Sequence, residues 1–216
     1  MRSFRYLTFD CYGTLVDWKK GIEAALGEAL GGARGGLLAA YVEAEKEEEK
    51  SYKEYREVLS NSALRVASKM GIQLDPAGSM AFAASVPSWP LFPDTLSSLA
   101  ELRSKGYKLH ILSNVDRDLL EGTIRNSGIA VDGYVTAEDT RSYKPAPGHW
   151  EAFMRRSGAK RDEILHVAQS IFHDILPTQS LGIASAWVNR YDGPLPSDAH
   201  PSYIVDGLKS LAQVLA

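Results

Sequence analysis

Beyond residue 95 the chain alternates short, apolar, β-prone runs with helical runs, and that alternation fixes the fold class. Strands read at 107–112, 134–137, 164–168, 186–189 and 203–205, and helices at 96–105, 116–127, 148–157 and near 174–181. Another strand opens the chain at 6–10. Strands separated by helices pair in parallel, because a helix is the usual crossover. The order therefore predicts an α/β fold, a doubly wound, Rossmann-like parallel sheet with helices on both faces. Ligands of such sheets bind beyond the carboxyl ends of the strands, so the residues just after each strand carry the functional reading.

The stretch from Val16 to about Met80 has a different character: helical, charge-rich and without a convincing strand. The run Gly31-Gly32-Ala33-Arg34-Gly35-Gly36 reads as a loop between helices. Residues 37–59 read as one long helix, with Tyr41, Glu45, Glu48, Tyr52, Tyr55 and Leu59 along one side. Its charge run, 43–53, reads as a solvated face supported by Glu49 and Lys53 at i,i+4. Three prolines between Val86 and Asp94 exclude helix interior and mark the return to the sheet. Asp94 or Thr95 is the expected cap of the helix that follows. The domain reading is an α/β core of residues 1–15 and 91–216, with a helical cap domain inserted at 16–90.

A net charge of −3 gives no broad basic surface, so nucleic acid is not an expected partner. No apolar run approaches the roughly 20 residues that span a bilayer, and no signal-peptide pattern opens the chain. Cys11 is the one cysteine, which excludes an intrachain disulfide and a cysteine-built zinc site. A cytoplasmic protein acting on a small-molecule acid, as monomer or homodimer, is the expectation.

The strand ends supply the chemistry. Asp10 ends the first strand, Gly13 permits a tight turn and Thr14 adds a hydroxyl. A carboxylate there can attack an electrophilic carbon or phosphorus. Alone, this segment is better explained by an Asp that caps the next helix. Ser113 and Asn114 add a hydroxyl and an amide, Lys144 a cation, and Asp174 a second carboxylate. Four strand ends thus deliver nucleophile, polar anchor, cation and acid to one rim.

The segments Phe9-Asp10-Cys11-Tyr12-Gly13-Thr14-Leu15, Leu112-Ser113-Asn114, Tyr143-Lys144-Pro145, and Val167-Ala168-Gln169-Ser170 through His173-Asp174 resemble the four motifs of the haloacid dehalogenase superfamily. The resemblance covers about residues 5–190, and the helical insertion is similar in position to that superfamily's cap. The superfamily's magnesium-dependent phosphatases carry a second Asp two residues after the nucleophile as general acid. Tyr12 stands there instead, and a phenol is a poor acid at neutral pH. The 2-haloacid dehalogenase branch is similar at that point, with Asp-x-Tyr-Gly-Thr-Leu, and Trp187-Val188-Asn189-Arg190 resembles it too. A halide needs no proton to leave.

The resemblance implies a metal-free, two-step hydrolysis of a short 2-haloacid. Asp10 displaces halide at C2, and water then hydrolyses the ester, with Asp174 as the base and Lys144 keeping Asp10 ionised. Cys11, Tyr12, Thr14, Ser113, Asn114, Ser170 and His173 are the substrate-binding candidates, although strand alternation turns Cys11 away from the Asp10 side. No cofactor is required on this reading. Two alternatives stay open: a Mg²⁺-dependent phosphatase holding the metal with Asp10, Asp174 and a backbone carbonyl near Tyr12, and a catalytically silent binding protein on the same scaffold.

The chain departs from the branch in three places. The stretch matching the branch's halide-receiving cap Arg is Tyr41-Val42-Glu43-Ala44-Glu45, leaving Arg34, Arg56 and Arg65 as possible replacements. Gln169 and Ile171 stand where the branch carries Ser and Asn. Trp150 stands where it carries an aromatic hydroxyl, and reads as packing or as pocket wall. His110 and His166 read as structural strand residues. His173 reads equally as a substrate contact or a surface histidine. Ser170, His173 and Asp174 make no hydrolase triad, because no nucleophile elbow surrounds Ser170.

Overall fold

A computed structural model of the chain describes residues 4–32 and 35–215. Six strands form one parallel sheet: β1 (Tyr6–Phe9), β2 (Lys108–Ser113), β3 (Gly133–Thr136), β4 (Ile164–Ala168), β5 (Ala184–Val188) and β6 (Tyr203–Val205). Their order is β3-β2-β1-β4-β5-β6, the doubly wound arrangement that the alternation predicts. β1 lies at the centre, with Phe9 in register with Ile111 on one side and Val167 on the other. Leu7, Phe9, Ile111, Leu165 and Val167 are fully buried, and each such side chain contributes about 1.5–3 kcal/mol of apolar burial. The order reverses between β1 and β4, so the residues after these two strands face one crevice.

Helices α1 (Trp18–Ala29), α2 (Leu37–Glu48), α3 (Tyr55–Lys69) and α4 (Pro76–Ala84) fill the stretch between β1 and α5 (Thr95–Ser104). The chain enters and leaves this layer side by side. Val16 and Leu91 form an antiparallel bridge, the Asp17 amide donates to Pro90 O at 2.8 Å and that of Phe92 to Leu15 O at 3.0 Å. On α1, Gly21 is packed so closely that a Cβ would lie 2.4 Å from the Trp89 ring.

The single helix expected at 37–59 is two helices. The break at 49–54 has a tertiary cause: Asp116, some 60 residues on, accepts the backbone amides of Tyr55 and Arg56 at 2.8 Å each and so starts α3. The Tyr143 hydroxyl donates to the Lys53 carbonyl at 2.5 Å inside the same break. Glu49 and Lys53 consequently share no helical face. Lys53 pairs with Glu48.

Asp94 precedes α5 but makes no side-chain cap to it. Its carboxylate instead receives Arg190 at 2.8 and 3.0 Å and the amide of Leu208 at 2.7 Å. Arg190 also donates to the Thr14 carbonyl at 3.0 Å, which ties the end of β5 to the turn after β1. The remaining helices are α6 (Arg117–Ser127), stopped by Gly128 at φ 76°, α7 (Ala137–Thr140), α8 (Gly148–Ser157), α9 (Leu176–Leu181) and α10 (Leu208–Val214). The sequence reading has no counterpart for α7 and α10. No helix among the described residues is long and apolar enough to cross a membrane.

Candidate active site

β1 ends at Phe9, and the Asp10 amide still donates to Val167 O at 3.0 Å, which places the Asp10 carboxylate at the mouth of the sheet. The chain then turns sharply. The Cys11 carbonyl accepts the amides of Leu15 and Val16 at 2.8 and 3.0 Å. Gly13 sits at φ 109°, where a side chain would be strained, and a Cβ would press on the Trp18 indole at 3.1 Å. The Thr14 hydroxyl donates to Asp10 Oδ2 at 2.8 Å and accepts the Gln169 amide at 3.0 Å. Both functions of that hydroxyl are engaged, so Thr14 positions Asp10 and joins the β1 and β4 turns.

Lys144 arrives from the loop after α7. Its ammonium lies 2.9 Å from Asp10 Oδ1 and 2.7 Å from Asp174 Oδ1, and its side chain is almost wholly buried. Asn114 fixes this loop from the end of β2: its amide oxygen accepts the Lys144 N–H at 2.7 Å and its NH₂ donates to the Lys144 carbonyl at 3.1 Å. The expected substrate-binding Asn114 is thus a brace for the lysine. The Ser113 hydroxyl is buried, lines the cavity and has no hydrogen-bond partner, so it is free for a ligand.

Asp174 is presented by a π-turn (Ile171–Ile175) that follows β4, wide enough to swing the carboxylate back over the strand end. Besides Lys144, its Oδ1 takes His166 Nε2 at 2.9 Å, while Oδ2 has no partner. His166 Nδ1 lies 2.9 Å from the Thr8 hydroxyl. An Nε2–H donated to Asp174 leaves Nδ1 to accept from Thr8, giving a buried chain Thr8–His166–Asp174–Lys144–Asp10. His166 was read as structural, and this role was missed. The available signal was two polar residues, Thr8 and His166, at paired positions of adjacent buried strands.

Burial and charge set the protonation states. Burial pushes the Asp10 carboxyl up; Lys144 pulls against it, and the Asp174 charge adds to the rise. Burial would also raise Asp174, but Lys144 and His166 outweigh it and hold that carboxyl well below the ordinary value. Lys144 is pushed the usual way for a buried cation, downward, yet its two carboxylates reverse this and hold it above its ordinary value.

The helical layer forms the other wall of a cavity of about 250 Å³ that Asp10, Lys144 and Asp174 line from the sheet side. Tyr12, Trp18, Tyr55 and Trp89 make it aromatic, and Glu45 and Glu49 give it two carboxyl groups. The charge run at 43–53, read as a solvated face, therefore turns two of its acids inward. Tyr12 is anchored away from the reaction centre, its hydroxyl 2.8 Å from that of Thr123. Ser170 and His173 both line the cavity, with Ser170 Oγ 3.1 Å from His173 Nδ1 and His173 Nε2 3.8 Å from Glu49.

Other candidates fall elsewhere. The Cys11 side chain is fully buried in the hydrophobic core, as strand alternation dictates, and cannot touch substrate. Trp150 is packed under β4 against the His166 ring rather than in the cavity wall. Arg56 pairs with Asp118 and Arg65 with Glu48, and neither lines the cavity. Arg34 lies outside the described residues.

The Lys144 ammonium occupies the space between the two carboxylates that would ligate Mg²⁺, and a neutral Gln169 stands nearby. Among the described residues no group of three or more His, Cys, Asp or Glu could hold a metal ion.

Comparison with known proteins agrees with the architecture. The model of the haloacid dehalogenase-like hydrolase family matches residues 4–180. The chain is similar to haloacid dehalogenase-like hydrolase domain-containing protein 3 of Danio rerio, at 34% identity over 127 residues that cover 57% of this chain and 52% of that protein. It is also similar to haloacetate dehalogenase H-2 of Moraxella sp. (strain B), at 24% identity with 88% of each chain covered. In fold it is similar to the L-2-haloacid dehalogenase of Xanthobacter autotrophicus, with a TM-score of 0.89, 20% identity and 98% of each chain covered. The chain belongs to the haloacid dehalogenase-like hydrolases.

Proposed function

We propose that the protein hydrolyses the carbon–halogen bond of short 2-haloacids through an ester on Asp10, without a metal. One observation carries this reading: a buried carboxylate at the floor of a small cavity, oriented by Thr14 and Lys144, with no carboxylic acid two residues on to protonate an alkoxide. Asp10 Oδ attacks C2, and the carbon–halogen electron pair leaves with the halide. The free Ser113 hydroxyl and the side-chain NH₂ of Gln169 are the sheet-side donors available to the substrate carboxylate. Water then attacks the ester carbonyl. Asp174 Oδ2, lacking a partner, accepts the water proton and passes it to the departing alkoxide, so the products are the 2-hydroxy acid and the Asp10 carboxyl. The low proton affinity of Asp174 suits orientation of that water more than storage of its proton. A helical layer acting as a cap, a small-molecule acid as the partner and a cytoplasmic location belong to the same proposal.

Halide release from 2-chloropropionate and chloroacetate in EDTA tests it. Release that persists in EDTA is the expected result. Absence of release, with Mg²⁺-dependent phosphate release from an aryl phosphate, would overturn it in favour of the phosphatase reading.

His166 acts through Asp174 and is a positioning residue for the hydrolytic half. His166→Leu removes one charge-assisted hydrogen bond and leaves the Thr8 hydroxyl buried without a partner, which costs about 1–3 kcal/mol. Steady-state turnover is expected to fall about 10- to 100-fold, with a burst of halide equal to the enzyme concentration. Stopped-flow halide detection checks this, and a slowed rate without a burst would place the defect before the ester.

A further inference from the structure

On the dehalogenation reading the halide leaves from the side of C2 opposite Asp10, toward the helical wall, and that wall holds no free cation among the described residues. Lys144 is engaged by two carboxylates, Arg56 and Arg65 are held by Asp118 and Glu48, and the wall instead presents Glu45 and Glu49. These two acids sit at i,i+4 on the inner side of α2, Glu49 being its carboxyl-terminal cap residue. Two ionised carboxylates at that spacing repel, and more strongly inside a cavity. Their bonding differs. Burial raises the Glu45 carboxyl, and two phenol hydroxyls donated to its Oε1, Tyr55 at 2.5 Å and Tyr41 at 3.0 Å, pull against that rise. Among the described residues Glu49 accepts no such hydrogen bond, and His173 Nε2 lies 3.8 Å from it. The unpartnered, buried Ser113 hydroxyl across the same cavity marks the space between them as built for a ligand.

We propose that Glu49, as a neutral carboxylic acid, donates the hydrogen bond that receives the departing halide. The proton stays on Glu49, the halide takes the electron pair of the broken bond, and the bond from Asp10 to C2 forms. The electrostatics agree. Burial, then the Glu45 charge, push Glu49 up to about 8 against the pull of Lys144. The other groups facing it are Tyr41 and Tyr55 on the helical side, and Tyr143 and His173 from the sheet side. Lys46, Lys50 and Arg141 line the adjoining vestibule. Burial holds all three phenols above their ordinary value and His173 below its own, so these groups keep one protonation state across the range in which Glu49 titrates. Ser170 Oγ accepts the His173 amide at 3.1 Å and lies 3.1 Å from His173 Nδ1; when this hydroxyl donates to Nδ1, the imidazole carries Nε2–H toward Glu49.

Bromide is a probe that needs no turnover, and Trp18 and Trp89 in the cavity wall report it by fluorescence quenching. In the wild type, bromide affinity is expected to fall about 30-fold between pH 6.5 and 9.5, following one group that titrates near 8. Glu49→Gln keeps an N–H donor at every pH and is expected to bind bromide equally at both. Glu49→Leu is expected to bind it at neither. Halide release from 2-chloropropionate is expected to show the same alkaline limb in the wild type and to lose it in Glu49→Gln. Bromide affinity or release that is flat with pH in the wild type, or Glu49→Gln failing as fully as Glu49→Leu, would overturn the assignment of Glu49. Bromide bound as expected with no halide released from any 2-haloacid would instead overturn the dehalogenation reading.

Discussion

Asp10→Asn is expected to lower halide release by at least about 10³-fold while the protein stays folded. The substitution keeps size and shape, so the cavity is unchanged. It removes the nucleophile, because an amide oxygen does not form an ester with an alkyl carbon at neutral pH. The hydrogen bonds adapt in a defined way. The amide oxygen still accepts from Lys144, where Oδ1 now does at 2.9 Å. The NH₂ group meets Thr14 Oγ, whose hydroxyl then turns elsewhere while it keeps the Gln169 amide 3.0 Å away. One rearranged hydrogen bond costs on the order of 1 kcal/mol. Burial already disfavours the ionised Asp10, which makes loss of its charge tolerable to the fold. Three measurements together decide the point: halide release, the urea unfolding midpoint, and a single turnover in ¹⁸O-water. In the wild type the label is expected in the peptide that contains Asp10, since water attacks the ester carbonyl and not C2. Label found only in the hydroxy acid, or an Asp10→Asn variant within about tenfold of wild type, would mean that water attacks the substrate directly and Asp10 serves as its base.

The sheet and the four strand-end motifs were legible in the sequence because both rest on local signals. Short apolar runs bounded by turns report strands, and a polar residue directly after such a run reports the rim of a parallel sheet. Asp10, Lys144 and Asp174 meet within hydrogen-bond distance for that reason. What was illegible depended on partners far away in the chain. The break between α2 and α3 is made by Asp116, whose carboxylate takes two amides from across 60 residues, and no periodicity in 37–59 reports it. Glu45 and Glu49 belong to a run whose composition says solvent, and only the closure of the helical layer over the strand ends buries them. Asn114 and Thr14 were legible by position, but their partners were not: each spends its side chain on another motif and leaves Ser113 as the free group. His166 was overlooked because both faces of a doubly wound sheet are covered, so alternation along β4 does not separate a packed residue from one aimed at the rim.

Lys144→Met should remove activity and reverse the sign of the Asp174 contribution to the pH dependence of stability. The lysine is the one cation between two buried carboxylates, and a methionine of similar length leaves both without it. Breaking a buried pair from one side typically costs about 3–5 kcal/mol, because the remaining charges stay desolvated. The direction with pH follows from linkage. In the wild type the folded state holds Asp174 below its ordinary 3.8, so this group contributes stability that is present above that value and lost as pH falls through the lower folded one. Without Lys144, burial is opposed only by His166, and the repulsion from Asp10 persists, so the folded value rises above the unfolded one. The contribution then becomes one that is present below about pH 4 and lost as pH rises through the raised folded value. Asp10, already raised by burial, moves in the same direction once its cation is gone. The stability lost in Lys144→Met relative to wild type should therefore grow from about pH 3 to pH 6 and continue to grow toward neutrality. Urea unfolding at unit intervals from pH 3 to pH 8 measures both curves. Parallel curves would mean that the two carboxylates are neutralised by something other than Lys144. In that case the ammonium could not be the group that keeps Asp10 ionised for attack.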